Sequence, residues 1–288
     1  YVMQPGKDAA RDKYAKGLLL ALDQVKDKDN KGYVLELLKF CAKNEAIDKV
    51  AALLTDDYLA EKAARVLSAI DTKESAAALN KALAGNVTEK TATAIIGALS
   101  EVKNPDAEAR IIELMGQFSA DNFQRNAYTA LSKFGGEKSY DVLYSKAKSV
   151  GFGFDRTNAS SLLIEFANNL ANNNNQNLAT KVATAVYKEA NGESAIGAKV
   201  ASLELLSRLQ PKKQRKELLK LSSGTNSILR NVALGLLGKG ASASDIMTNI
   251  PSVSVDQDGN TSMRGNENVR ILIDGKLTQL DPKTLLKQ

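Results

Sequence analysis

Any chemistry in this chain has to be made without histidine. Its 288 residues hold no His, no Trp and one cysteine, Cys41. That removes His-dependent general bases, Ser-His-Asp and Cys-His nucleophile systems and His-containing zinc sites. A single thiol gives neither an internal disulfide nor a thiolate cluster. Cys41 fills the last place of an apolar helical template, which predicts a buried structural thiol. Asp56-Asp57 stands at a helix start, where the dipole favours acids, and no carboxylate pair reads as an acid/base dyad. Asp256-Gln257-Asp258-Gly259-Asn260 resembles the start of a calcium loop. Such a loop places glycine sixth and a bidentate Glu twelfth. Here glycine is fourth, and the twelfth residue, Glu267, lies outside any helix pair, so a hairpin turn is expected. Behind Pro211, the run Lys212, Lys213, Arg215 and Lys216 predicts either a patch for an anionic partner or a solvated helix face. Gly151-Phe152-Gly153-Phe154 is expected as an apolar plug under a loop, with a contact patch as the alternative. The inventory predicts no enzyme, no cofactor and no metal.

These residues sit on two kinds of element. Over the first 239 residues one apolar template recurs at i, i+3, i+4, i+7, a single face of a 3.6-residue period. Its copies are Val34/Leu37/Leu38/Cys41, Ala63/Val66/Leu67/Ile70, Ala92/Ile95/Ile96/Leu99 and Ala127/Ala130/Leu131/Phe134. Ala159/Leu162/Leu163/Phe166, Ser202/Leu205/Leu206/Leu209 and a degenerate Val232/Gly235/Leu236/Lys239 complete the series. Successive copies start 29, 29, 35, 32, 43 and 30 residues apart, and the polar tract Asn172 to Asn175 is expected as an inserted loop in the long interval. Partner helices lie between them, such as Ala15/Leu18/Leu19/Leu22, Ile47/Val50/Ala51/Leu54, Ile111/Leu114/Met115/Phe118 and Tyr140/Leu143/Tyr144/Ala147. Asn104-Pro105 and Gln210-Pro211 mark helix starts. Asp71 with Glu74, and Asp121 with Gln124, have capping-box spacing.

A pair of short helices cannot bury its apolar face alone, whereas stacked pairs make a continuous core. The period and pattern over about residues 8 to 239 resemble HEAT-like repeats. The resemblance implies a right-handed α-solenoid of about seven antiparallel helix pairs, a mainly α fold.

From residue 240 the composition changes. No alanine follows Ala243 and no aromatic follows Tyr187. After a short helical stretch, Ser244 to Asn249, strands are expected over Ser252 to Val255, Thr261 to Gly265 and Val269 to Ile273, the last stopped by Asp274-Gly275. The segment Asp245 to Gly265, with Asn249-Ile-Pro-Ser-Val-Ser-Val255 and Asp256-Gln-Asp-Gly-Asn260, continues to Asn268-Val-Arg-Ile-Leu-Ile-Asp-Gly-Lys276. It resembles the plug domain of TonB-dependent outer-membrane receptors, in the Bacteroidetes style. Residues 240–288 would then be a short α+β segment like half a plug. The resemblance makes Arg264 and Asp274 candidate contacts to a receptor barrel, and places the chain in the periplasm or at the outer membrane. The 13 residues after Gly275 are too few for two barrel strands, so the chain is not expected to form a transporter by itself.

The net charge is +6, with −1 from Gly240 onward and +7 before it. Taken as spread over 239 residues, that excess predicts no nucleic-acid binding. No apolar run approaches the roughly 18 to 20 residues of a membrane helix. The expected function is a non-enzymatic protein–protein interaction scaffold of the bacterial cell envelope, associated with TonB-dependent nutrient uptake. Its alternatives are a fragment of a TonB-dependent receptor with a helical extension, and an accessory repeat module of a larger envelope hydrolase.

Overall fold

The computed structural model describes residues 4, 6–238, 253–255, 261–263, 272–273 and 276–277. The protein is mainly helical. The template copies, apart from Cys41, which lies past the end of α2, and Lys239, outside the described residues, fall on α2 (Lys28–Leu38), α4 (Ala60–Ile70), α6 (Glu89–Glu101), α8 (Asp121–Phe134), α10 (Ala159–Asn172), α12 (Ile196–Leu209) and α14 (Ser227–Gly238). Between them run α1 (Asp8–Gln24), α3 (Ile47–Ala51), α5 (Lys73–Ala84), α7 (Glu108–Met115), α9 (Glu137–Ser149), α11 (Gln176–Glu189) and α13 (Pro211–Ser222). Among the described residues no helix is long and apolar enough to cross a membrane.

The chain divides into two compact units, Tyr1–Ala198 and Lys199–Gln288. In the first, the even-numbered helices pack side by side in the order α2, α4, α6, α8, α10. Behind them α3 packs on α5, α7 on α9 and α9 on α11, and the single turn Pro105–Ala107 joins α5 to this second layer. The reason is visible in the template. On α6 all four of Ala92, Ile95, Ile96 and Leu99 are fully buried, and on α10 Ala159, Leu162, Leu163 and Phe166 are buried. The leading alanine of α4, α6, α8 and α10 has no exposed surface, so the next helix can approach closely.

Side-chain bridges tie each pair to the next. They include Lys43–Asp12 at 2.6 Å, Thr88 Oγ1 donating to Asp57 at 2.6 Å, Lys133–Glu101 at 2.9 Å and Asn169 donating to the Ser132 carbonyl at 3.0 Å. These join residues 31, 31, 32 and 37 positions apart, close to one template interval.

Several local expectations are corrected. α5 is capped by Thr72 and Ser75, one residue later than the Asp71/Glu74 pair, because Asp71 is occupied in ending α4 with φ 51°. Asp121 is the first residue of α8 rather than its cap, and the Gln124 amide donates to the Met115 and Phe118 carbonyls instead. Asn172 to Asn175 is a tight turn and no inserted loop. Asn172 ends α10, Asn174 takes φ 63°, and Asn175 caps α11 through the Leu178 amide. The long interval reflects register: the template starts at the first residue of α10 but six residues into α12.

In the second unit α13 packs on α14. The buried residues of α14 are Ala233 and Leu237, one position round from the expected Val232 and Leu236, and Gly235 is exposed. Strand β1 (Val253–Val255) pairs antiparallel with β2 (Thr261–Met263), Val253 opposite Met263. β3 (Leu272–Ile273) pairs antiparallel with β4 (Lys276–Leu277). The last two residues of the third expected strand therefore pair with the two residues on the far side of Asp274-Gly275. The expected helix Ser244 to Asn249 and the turn 256–260 lie outside the described residues.

Candidate functional site

Along the even-numbered layer α6 is the low point. Beside its buried template positions it presents Thr93, Ala94 and Gly97, all short. Its neighbours present longer groups, among them Glu61, Lys62 and Arg65 on α4 and Asn122 and Asn126 on α8. The result is a groove of about 890 Å³ spanning three successive even-numbered helices. A Cβ on Gly97 would come no closer than 3.8 Å to the Asn126 amide oxygen, so the position is open to a side chain.

Several charges of the groove are paired. Lys62 meets Glu36 at 3.5 Å, Arg65 meets Glu61 at 2.7 Å and Glu101 meets Lys133 at 2.9 Å. Tyr58 donates its hydroxyl to Asp29, and that bond to a carboxylate pushes the phenol pKa up. The groove therefore offers amides, paired charges and a small-residue floor. Among the described residues, no three His, Cys, Asp or Glu side chains are grouped to hold a metal ion.

Cys41 is buried, and burial raises its thiol pKa above the usual value. Its Sγ lies 3.6 Å from the Leu37 carbonyl. Phe152 and Phe154 take opposite roles. Phe152 is 4% exposed, at φ 58°, and packs on Tyr144 at 5.9 Å, whereas Phe154 is 87% exposed. The loop that carries them is pinned. Ser160 Oγ donates to the Gly153 carbonyl at 2.8 Å, and Arg125 donates to the Arg156 carbonyl. Asp155 accepts from the Ala159 amide at 3.0 Å and from the Thr157 hydroxyl. Burial pushes the Asp155 carboxyl pKa up, but these hydrogen bonds and Lys146 outweigh it and hold it below its usual 3.8. Tyr128, buried on α8 near Asp155, is pushed up to about 12 by burial and by that charge.

Lys212, Lys213, Arg215 and Lys216 are exposed on the first turns of α13, where Pro211 starts the helix. Lys220, exposed one turn beyond Lys216, extends the run. Arg264 and Asp274 lie outside the described residues. The groove is legible in the sequence only in part. Of the off-face positions, only Ala94 differs clearly in size from its α4 counterpart, Arg65, while Thr93 and Gly97 stand opposite the small Ala64 and Ser68, so successive copies give only a weak signal of it.

Comparison with protein-family models, with characterised proteins and with solved structures gives no match.

Proposed function

We propose that this chain is a non-enzymatic protein–protein interaction scaffold of the bacterial cell envelope. Its helix pairs form a HEAT-like α-solenoid, and its plug-like tail associates it with TonB-dependent uptake. The observation that carries the scaffold reading is the α4–α6–α8 groove. Recognition there is assembled from three successive helices rather than from a catalytic constellation, as stacked helical repeats permit. The envelope assignment rests on the sequence resemblance of residues 240–288.

The test places a photo-crosslinking residue at Thr93 in the full chain, within the cells that make it. A discrete crosslinked protein is expected, and Gly97→Trp, which fills the groove, should abolish it with the circular dichroism unchanged. An undiminished band with Gly97→Trp, or no band from Thr93, overturns the groove as the binding surface. Recovery of the partner in the cytoplasmic rather than the envelope fraction overturns the location.

A further inference from the structure

The excess positive charge is confined to one short stretch. Residues 1–198 hold 25 Lys and Arg against 25 Asp and Glu, and so are neutral. Residues 199–239 hold nine basic and two acidic residues, a net +7, and the remainder carries −1. An excess that looks dilute over the whole helical region is concentrated in 41 residues, and five of the nine cations lie on α13.

On α13 the lysines form a line. Lys212, Lys216 and Lys220 are spaced i, i+4, i+8, with Lys213 beside them, and all four are exposed. At 1.5 Å per residue the line is about 12 Å long. None of the four has an ion pair among the described residues. The first unit also holds exposed lysines with no ion pair among the described residues, Lys13 and Lys81 among them, but its carboxylates leave that unit neutral overall. The placement also opposes the helix. The first turn of α13 has no acidic residue, and cations there face the positive end of the macrodipole. A cluster of cations at that end, none of the four lysines being paired among the described residues, points to an external anion.

We infer that the lysine face of α13 docks the protein on an anionic lipid bilayer. Three features favour that occupant. Lysine is depleted in protein–protein interfaces, whereas clustered lysines are drawn to anionic headgroups, each worth about 1 kcal/mol near the surface. No aromatic residue follows Tyr187, so the region offers no ring for stacking on the bases of a single-stranded nucleic acid. The cations form one straight helix face, which suits laterally mobile headgroups that adjust to any spacing. The inference is independent of the scaffold reading, since α13 shares no residue with the α4–α8 groove.

The test is co-sedimentation of the full chain with vesicles of phosphatidylcholine containing about a third phosphatidylglycerol, and with phosphatidylcholine alone. Binding is expected only to the anionic vesicles at about 0.05 M salt, and should largely vanish at about 0.5 M. Lys→Gln at 212, 213, 216 and 220 together should weaken it at least about tenfold, and Lys→Arg at the same positions should keep it. Lys→Gln at the exposed Lys13, Lys16, Lys81 and Lys138, which removes the same net charge, should also leave it in place. Equal binding to phosphatidylcholine alone, no binding to either vesicle, or undiminished binding by the α13 glutamine variant overturns the inference. A random-sequence DNA duplex bound more tightly than the anionic vesicles at the same salt also overturns it, in favour of nucleic acid.

Discussion

Glu108 belongs to α7 but caps α9. Gly136, just before α9, has no side chain to accept from the first amides of that helix. The Glu108 carboxylate supplies the acceptor from 28 residues earlier, taking the Gly136 amide at 2.8 Å, the Ser139 amide at 3.1 Å and the Ser139 hydroxyl at 2.6 Å. Glu108→Ala leaves two helix-terminal donors unmet and should cost about 1 to 2 kcal/mol, read from urea denaturation. Glu108→Gln keeps an acceptor oxygen and should lose less. A single sequence shows such a cap poorly, because nothing near Gly136 signals it. Asp155 is the counterpart in the loop before α10. Its folded-state pKa is lowered, so its contribution is fully present above its usual 3.8 and is lost as the pH falls below that value. Asp155→Asn should therefore flatten the stability profile of the protein between roughly pH 5 and 3. An unchanged acid transition in thermal melts would show that the hydrogen-bonded loop does not depend on that charge.

At the scale of the element, the interior of α8 is filled from both sides. Leu131 on α8 has no exposed surface, and α8 packs against α6, α7, α9 and α10. Leu131→Ala should cost about 2 to 5 kcal/mol by chemical denaturation, the range for a leucine cavity that its surroundings cannot close. Helix ends are set as tightly. A Cβ on Gly135 would lie 2.6 Å from the Leu131 carbonyl oxygen and still nearer the Ser139 side chain, so Gly135→Ala should destabilise the α8–α9 connection despite its ordinary φ of −70°. The template copies are legible in the sequence because burial repeats with the helical period, and α6 and α10 bury all four of their template positions. Helix ends are less so. Asp71 and Thr72 are both good capping residues, and only the left-handed turn at Asp71 decides that Thr72 caps α5. The Asn172 to Asn175 tract has a loop-like composition, yet asparagine also serves a left-handed turn and a helix cap, and the chain uses it for both.

For the molecule as a whole, the helices of residues 8–238 carry nearly all the regular backbone hydrogen bonding among the described residues. Deleting residues 240–288 should therefore leave far-ultraviolet circular dichroism almost unchanged. Global loss of helicity on that deletion would show that the helical region depends on its tail. The charge division is present in the sequence, but a sum taken over 239 residues conceals it, because a neutral stretch of 198 residues dilutes the +7 beyond it. Only the fold displays that four of those lysines share one helix face, with no ion pair among the described residues.

The bridges of the first unit have a reach of about one helix pair, from Lys43–Asp12 to Asn169–Ser132. A pair stitched only to its immediate neighbours can be cut out or copied without disturbing bonds farther along, provided the new neighbours present the same seam. Removing a pair that carries α4, α6 or α8 would take apart the groove that all three line.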